Sequence, residues 1–334
     1  MTVKIAIIGL GQIGASIGLA LANRKDQVTT VGYDISPEIA RKAHKMGAVE
    51  SVGRSLSASI KEADVIVLAL PLDQVHETLK SMSQAAREDV LVIDTAPVKV
   101  AVAAWAEELL PPKRHYVGLS LAFNPLVLDE TGTGISAARG DLFQNGLAAV
   151  TAPHGTSGEA IKLAASFVTL LGAQAYFADL AEVDGIMATI QTLPALAAAA
   201  LTETVIGQPG WADIRKLAGR PFAAAMRPLD EEAAPALAES IQANRVNTVR
   251  LLDEYMAALK SLRDEIEAGE KKNLQARLEQ VMNGRAQWRR VRAEGDWRSI
   301  ESSEQEIPAF GDLWLQQLGL GKLIGLRSKK KKDD

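Results

Sequence analysis

The sequence predicts an α/β domain built on a parallel sheet, followed by an all-α domain. Two observations carry this expectation. Between residues 3 and 178, short apolar runs alternate with helix-patterned stretches, the mark of βαβ units. Beyond about residue 180 the strands vanish and alanine-rich helical stretches take over. A length of 334 residues suits two domains with ample apolar core.

VKIAII (3–8) is an apolar run that stops at Gly9 and reads as a buried parallel strand. GLGQIG (9–14) follows, opening the helix-patterned ASIGLALANR. VTTVGYD (28–34) is a second strand, and SPEIARKAHKMG (36–47) a second helix closed by Gly47. ADVIVLALP (63–71) and VLVIDTA (90–96) are strands, followed by helices over 73–86 and over 99–110, the latter ending at Pro111-Pro112. HYVGLSLA (115–122) and GLAAVTAP (146–153) are strands flanking a Gly-rich loop. A helix (157–171) and the strand AQAYFA (173–178) complete a first domain spanning 1–179.

Helical stretches at 182–205, 231–266 and 270–293 make the second domain, 180–293. Apolar residues or threonine at Leu237, Ile241, Thr248, Leu252, Tyr255, Leu259, Leu262 and Ile266 predict one long amphipathic helix. Residues 294–334 form a tail, with Trp314, Leu315, Leu318, Leu320, Leu323, Ile324 and Leu326 ahead of Lys329 to Lys332. An apolar segment before a basic cluster is a membrane-surface pattern. Here Gly319, Gly321 and Gly325 weaken any helix and Asp333-Asp334 dilute the charge, so the tail is expected to pack on its own domain.

Composition narrows the function. Lys plus Arg total 37 against 41 for Asp plus Glu, a net charge of −4, so no basic field supports nucleic-acid binding. The absence of cysteine excludes disulfides, thiolate zinc sites and a cysteine nucleophile. His44, His76, His115 and His154 have no paired ligand spacing, and no metal is expected. The N-terminus runs directly into a strand, leaving no room for a signal peptide, and no purely apolar run reaches the 18 or so residues of a bilayer span. The expectation is a cytoplasmic protein.

Gly9-Leu10-Gly11-Gln12-Ile13-Gly14 fits the G-x-G-x-x-G pattern in its required context, with a strand before it and a helix after it. Gly9 allows the tight turn, Gly11 lets the backbone approach a pyrophosphate, and Gly14 permits close helix–strand packing. The N–H groups of the first helical turn, from Gln12 and Ile13 onward, then face the phosphates. Asp34 ends the second strand twenty residues after Gly14 (34 − 14), where a carboxylate accepts hydrogen bonds from ribose hydroxyls. Its charge repels a 2′-phosphate and favours NAD over NADP. Leu70 and Pro71 close the strand at the switch point and are placed either to pack against the nicotinamide end or simply to end the strand.

In the order GLGQIG with Asp34, ALPLDQVHETL, DTAPVK (94–99), VGLSLAFNP (117–125), DLFQN (141–145), VDGIMATIQTLP (183–194), GWADIRKLA (210–218) and SIQANRVN (240–247), the chain resembles the prephenate/arogenate dehydrogenase family from residue 3 to about 293. The resemblance implies a Rossmann-like nucleotide-binding domain and a helical domain that forms a homodimer. It implies NAD(P)-dependent oxidative decarboxylation of prephenate to 4-hydroxyphenylpyruvate, or of arogenate to tyrosine. The chain departs from the family at informative positions. The family's proton-accepting histidine aligns with Ser120, and the proline after it with Leu121. A family serine aligns with Pro97, although Asp94 and Lys99 remain. A His-Asp pair reads Val183-Asp184, a histidine after Leu-Pro reads Ala195, and a carboxylate-binding arginine aligns with Lys216, beside Arg215.

The resulting candidates are Lys99, Ser120 and Gln191 for catalysis, and Arg215, Lys216, Asn244 and Arg245 for a small carboxylate substrate. Serine without a partner base is a poor proton acceptor at neutral pH. Lys99 could be an acid/base, a carboxylate anchor or a solvated lysine. Asn244 lies on the apolar stripe of the long helix, so its amide needs a buried partner, ligand or protein. Three functions compete: the family's dehydrogenase activity, an oxidoreductase of the same fold acting on another small acid, and a non-catalytic dinucleotide-binding regulator.

Overall fold

The computed structural model describes residues 2–295, so the expected apolar and lysine-rich tail lies outside the described residues. Eight strands form one sheet: β1 (Val3–Ile8), β2 (Val28–Tyr33), β3 (Ser51–Val52), β4 (Val65–Leu68), β5 (Leu91–Asp94), β6 (His115–Leu121), β7 (Leu147–Thr151) and β8 (Gln174–Phe177). Their order is β3-β2-β1-β4-β5-β6-β7-β8, a doubly wound topology that reverses between β1 and β4. The sheet is not wholly parallel, as the alternating pattern predicted: β6 and β7 run antiparallel, with Gly118 opposite Thr151. The chain between them holds only short 3₁₀ turns (Pro125–Val127 and Gly134–Ala137), and with no crossover helix it re-enters from the same end.

Alternating side chains feed two cores. On one face Ile5 and Ile7 of β1 pack with Ile17 and Leu21 of α1 (Gln12–Leu21), Ala40 and Ala43 of α2 (Pro37–Lys45), and Ala164 and Phe167 of α6 (Gly158–Leu170). On the other, Ala6 and Ile8 meet α3 (Leu56–Ile60), α4 (Leu72–Met82) and α5 (Lys99–Leu109) through Ile60, Val75, Leu79 and Val102. β3 and α3 are additions that the sequence pattern did not reveal: a two-residue strand is too short to show periodicity.

The helical half begins with α7 (Leu180–Met187), a π-helical turn at Ala188–Thr192, and α8 (Leu193–Ile206). By length and apolar composition, the run Leu180–Ile206 is long enough to cross a bilayer. It contacts α5 and the later helices instead, with Val183 and Asp184 buried. Two short helices follow, α9 (Trp211–Leu217) and α10 (Arg220–Met226), then α11 (Ala234–Ala243), α12 (Arg245–Glu267) and α13 (Lys271–Glu294). The single helix expected across 237–266 is therefore two. Asn244, at φ −116° and ψ 34°, breaks it, and the apolar stripe continues across the bend.

Gly18 of α1 shows how tightly the first layer is set, since a Cβ there would lie 2.0 Å from the Ala48 carbonyl oxygen. Gly18→Ala is expected to force α1 away from the 46–48 segment and cost about 1–3 kcal/mol, the usual range for overpacking, read by urea denaturation.

Candidate active site

The carboxyl ends of β1, β4, β5 and β6 share one edge of the sheet, because these strands are mutually parallel. Gly9 leaves β1 at φ +89°, where a Cβ would strike the Ala69 carbonyl oxygen at 2.3 Å. At Gly14 a Cβ would lie 1.9 Å from the Gly9 carbonyl oxygen. A Cβ at Gly11, by contrast, would meet nothing within 4 Å. The loop is closed where it must pack and open where a ligand must approach. Gly11 caps α1 without a side-chain hydrogen bond, and no acidic residue stands in the first turn with Gln12 and Ile13. An anion is thus accommodated at this helix start.

Asp34 follows β2, and its carboxylate accepts from the Leu10 and Ser36 backbone N–H groups, both at 2.8 Å. These bonds fix it against the glycine loop, and each oxygen keeps a free lone pair. Leu70 flanks Gly9 on the β4 side, while Pro71 is exposed at the start of α4. The residues present therefore fit an adenine dinucleotide at the switch point.

Next along the edge, Asp94 ends β5 and collects three groups. The Lys99 ammonium donates to its Oδ1 at 3.0 Å, the Tyr116 hydroxyl to its Oδ2 at 2.6 Å, and the Ala96 N–H also to its Oδ1, at 2.8 Å. Lys99 has no exposed surface. Burial pushes its pKa down, and the negative charge of Asp94 opposes that shift. Tyr116 is pushed well up, first by burial and then by Asp94. The Lys99 ammonium is thus spent on an internal ion pair.

The same residue meets the helical half. The Asp184 carboxylate on α7 accepts from the Lys99 N–H at 2.5 Å and the Val100 N–H at 3.2 Å, capping α5. Burial raises the Asp184 pKa, and these two N–H groups hold it down. Asn244 donates from Nδ2 to the Asp184 carbonyl at 2.7 Å and accepts from Asn247 Nδ2 at 2.9 Å. Protein, not ligand, meets the Asn244 amide.

Ser120 lies one alternation beyond Gly118 and Tyr116 on β6, and so on the Lys99 face of the sheet. Its Oγ is buried and has no hydrogen-bond partner among the described residues. The helical half forms a cavity of about 300 Å³, lined by Gln191, Ala195, Arg227, Glu231 and Glu232, with Leu128 from the loop after β6. Gln191 sits in the π-helical turn, where the widened backbone turns its side chain onto the cavity wall. Arg227 is half-buried, donates to the Glu130 carbonyl, and forms no ion pair among the described residues.

The structure does not bring Arg215, Lys216 or Arg245 to this cavity. Arg215 and Lys216 are exposed on α9, with Lys216 paired to Asp213 at 2.7 Å, and Arg245 is exposed at the start of α12. Sequence reasoning missed Tyr116, Arg227 and Glu232. Tyr116 was hidden by its place inside an apolar strand, and the other two by a stretch with no motif. Among the described residues no group of three His, Asp or Glu side chains could hold a metal ion.

A glycine loop at the switch point of a doubly wound sheet, followed by a helical half that walls a cavity, defines a two-domain nucleotide-binding protein. Residues 17–177 match the family model described as prephenate dehydrogenase, nucleotide-binding domain, and residues 180–280 the one described as prephenate dehydrogenase, dimerization domain. The chain belongs to the prephenate dehydrogenase family. A prephenate dehydrogenase of Bacillus subtilis (strain 168) is 26% identical over 318 residues, covering 93% of this chain and 80% of that protein. A cyclohexadienyl dehydrogenase of Zymomonas mobilis is 29% identical over 265 residues, 78% of this chain and 88% of the other. Prephenate dehydrogenase from A. aeolicus, solved with hydroxyphenyl propionate and NAD+, shares the fold with a TM-score of 0.74 at 22% identity, over 86% of this chain and 98% of that one. Arogenate dehydrogenase from Synechocystis gives 0.66 at 25% identity, over 85% and 99%.

Removing the Asp184 carboxylate leaves two N–H groups of α5 uncapped. Asp184→Ala is expected to cost about 1–3 kcal/mol, the penalty for unsatisfied buried donors, in urea denaturation followed by tryptophan emission.

Proposed function

We propose that the protein is an NAD-dependent dehydrogenase that oxidises the ring hydroxyl of prephenate or arogenate with loss of carbon dioxide. The observation that carries this reading is a pair of features, the open glycine loop at the carboxyl edge of the sheet and a cavity of the helical half walled by Gln191, Ala195 and Arg227 that also takes Leu128 from the loop after β6. Membership of the prephenate dehydrogenase family across both halves supports it. When bound, NAD supplies the hydride acceptor; the chain supplies everything that binds and orients.

In this reading Gly9, Gly11, Gln12, Ile13 and Gly14 present backbone N–H groups to the pyrophosphate, and Asp34 holds the adenosine ribose. Leu70 and Pro71 flank the nicotinamide end. Arg227, a cation without an ion pair among the described residues, binds the substrate carboxylate in place of Lys216 or Arg215. Gln191 hydrogen-bonds the substrate, and the unpartnered Ser120 hydroxyl donates to it. Lys99 acts through Asp94, keeping the β5 end in position.

Asp34 supports NAD rather than NADP, since no cation occurs in the following Ile35-Ser36-Pro37 to meet a 2′-phosphate. The helical half supports a homodimer, because Val246, Val249, Met256, Leu259, Ile266, Val281, Met282 and Trp288 are exposed along α12 and α13. Serine at the histidine position supports a second reading, the same fold acting on another small acid.

Absorbance at 340 nm with prephenate and arogenate, each with NAD or NADP, tests the assignment; no turnover of either substrate transfers the case to the second reading. For the cofactor site, Asp34→Asn is expected to weaken NAD binding about tenfold, because hydrogen bonds to charged groups contribute roughly 1.5–3 kcal/mol. The same change narrows the gap to NADP, and calorimetry with both nucleotides reads the two effects.

A further inference from the structure

We propose that Glu232, on the wall of the helical cavity, takes the proton from the substrate's ring hydroxyl as that carbon is oxidised. The proposal rests on the activity proposed above and adds a catalytic residue to it.

Oxidation of a hydroxyl-bearing carbon needs a proton acceptor, a contribution of typically 10²–10⁴-fold. Among the described residues the Ser120 hydroxyl has no hydrogen-bond partner, and so no base beside it. Lys99 is sealed against Asp94, and the Tyr116 hydroxyl is already donated to the same carboxylate. His115 opens β6 at the opposite end of the strand, and His76 stands edge-on against Trp105, away from the cavity wall.

The cavity's own charged groups are Arg227, Glu231 and Glu232. Arginine stays protonated and cannot accept. Glu231 is exposed, whereas Glu232 is half-buried. Glu232 also feels the negative charge of Asp73, in the first turn of α4 immediately beyond Pro71. The packing of α11, whose Leu237 also lines the cavity, against α4 ties the cavity wall to the end of β4, the edge assigned to the nicotinamide.

The groups facing Glu232 are Asp73 from α4, Ser240 from α11, and the cavity neighbours Arg227 and Glu231. Burial, followed by the negative charge of Asp73, pushes its carboxyl above the usual range, and Ser240 opposes this. A raised carboxyl pKa makes the ionised group a stronger base.

The step balances without further reactants. The O–H bond breaks and its proton passes to the Glu232 carboxylate, while the O–H electron pair completes the C=O bond as the carbon gives up its hydride to the NAD of the proposed activity. Loss of carbon dioxide returns the C–C electron pair to the ring. The ring oxygen becomes a phenolate and recovers the proton from Glu232.

The test uses the full chain. Glu232→Gln keeps the shape and removes the base. It is expected to lower kcat at least about 100-fold with KM and NAD affinity little changed, and to abolish the acid limb of the kcat–pH profile. Glu232→Asp, retaining a carboxylate, is expected to keep more activity. Asp73→Asn, which removes the charge that raises Glu232, is expected to move the acid limb to lower pH. A binding readout needs no turnover: by calorimetry the wild type is expected to prefer 4-hydroxyphenylpyruvate to phenylpyruvate about tenfold, as for a hydrogen bond to a charged group, and Glu232→Ala to lose that preference.

A Glu232→Gln enzyme within threefold of wild-type kcat with an unmoved acid limb overturns the proposal. An unchanged preference for the hydroxylated ring does so too. If wild type turns over neither prephenate nor arogenate, the proposed function fails, and the binding comparison still decides whether Glu232 meets the ring hydroxyl.

Discussion

The buried ion pair between Lys99 and Asp94 is the constraint on which the rest of the site depends. An ammonium with no exposed surface loses several kcal/mol of hydration, recovered only through a well-placed counter-charge and further hydrogen bonds. Asp94 supplies the charge from the last position of β5, and Tyr116 from β6 satisfies its second oxygen. The arrangement leaves no room for a larger neighbour. A Cβ at Gly118 would sit 2.6 Å from Thr151 Oγ1 and 2.7 Å from Lys99 Cδ, so β6 must carry glycine where the lysine stem crosses it. Because the backbone N–H of Lys99 also binds Asp184, one residue ties the sheet to the first helix of the second half.

This linkage explains how two halves with different chemistry keep a common edge. The nucleotide half builds its site almost wholly from backbone: glycines that allow close approach, an uncapped helix start, and one carboxylate fixed by two N–H groups. The helical half builds its cavity from side chains on α8, α10, α11 and a π-helical turn. Asp184 and Asn244 hold that half in register, one through its carboxylate and one through its amide. Neither set of groups is useful unless the other is held within reach.

What could be read from the sequence follows this division. The glycine loop and Asp34 were legible because backbone geometry imposes fixed residue types at fixed spacing. The order of strands and helices was legible from hydrophobic periodicity, but the antiparallel turn of β7 was not. Periodicity reports which side chains are buried and is silent on strand direction. The bend at Asn244 was hidden for a related reason, since the apolar stripe runs through it unbroken. Family resemblance led to Gln191 and Ala195, which do line the cavity, and to Lys216, which does not. Arg227 and Glu232 come from a stretch of short helices and turns whose packing, rather than any motif, brings them to the wall.

The charge balance of the cavity bears on what it can hold. Among the described residues that line it, Arg227 is the one cation, beside Glu231 and Glu232, so this wall carries more negative than positive charge. A carboxylate substrate entering such a wall meets attraction from one guanidinium and repulsion from two carboxylates, at distances where a partly buried environment screens weakly. Glu231 is exposed and screened by water, whereas Glu232 is half-buried, so most of the repulsion comes from the carboxylate that the proposed step protonates. Transfer of the hydroxyl proton to Glu232 removes that repulsion, so the bound anion favours the step. Ser120, Val183 and Ala195 leave this balance to other groups: at the three positions where the family resemblance places histidine, the chain has residues that carry no charge.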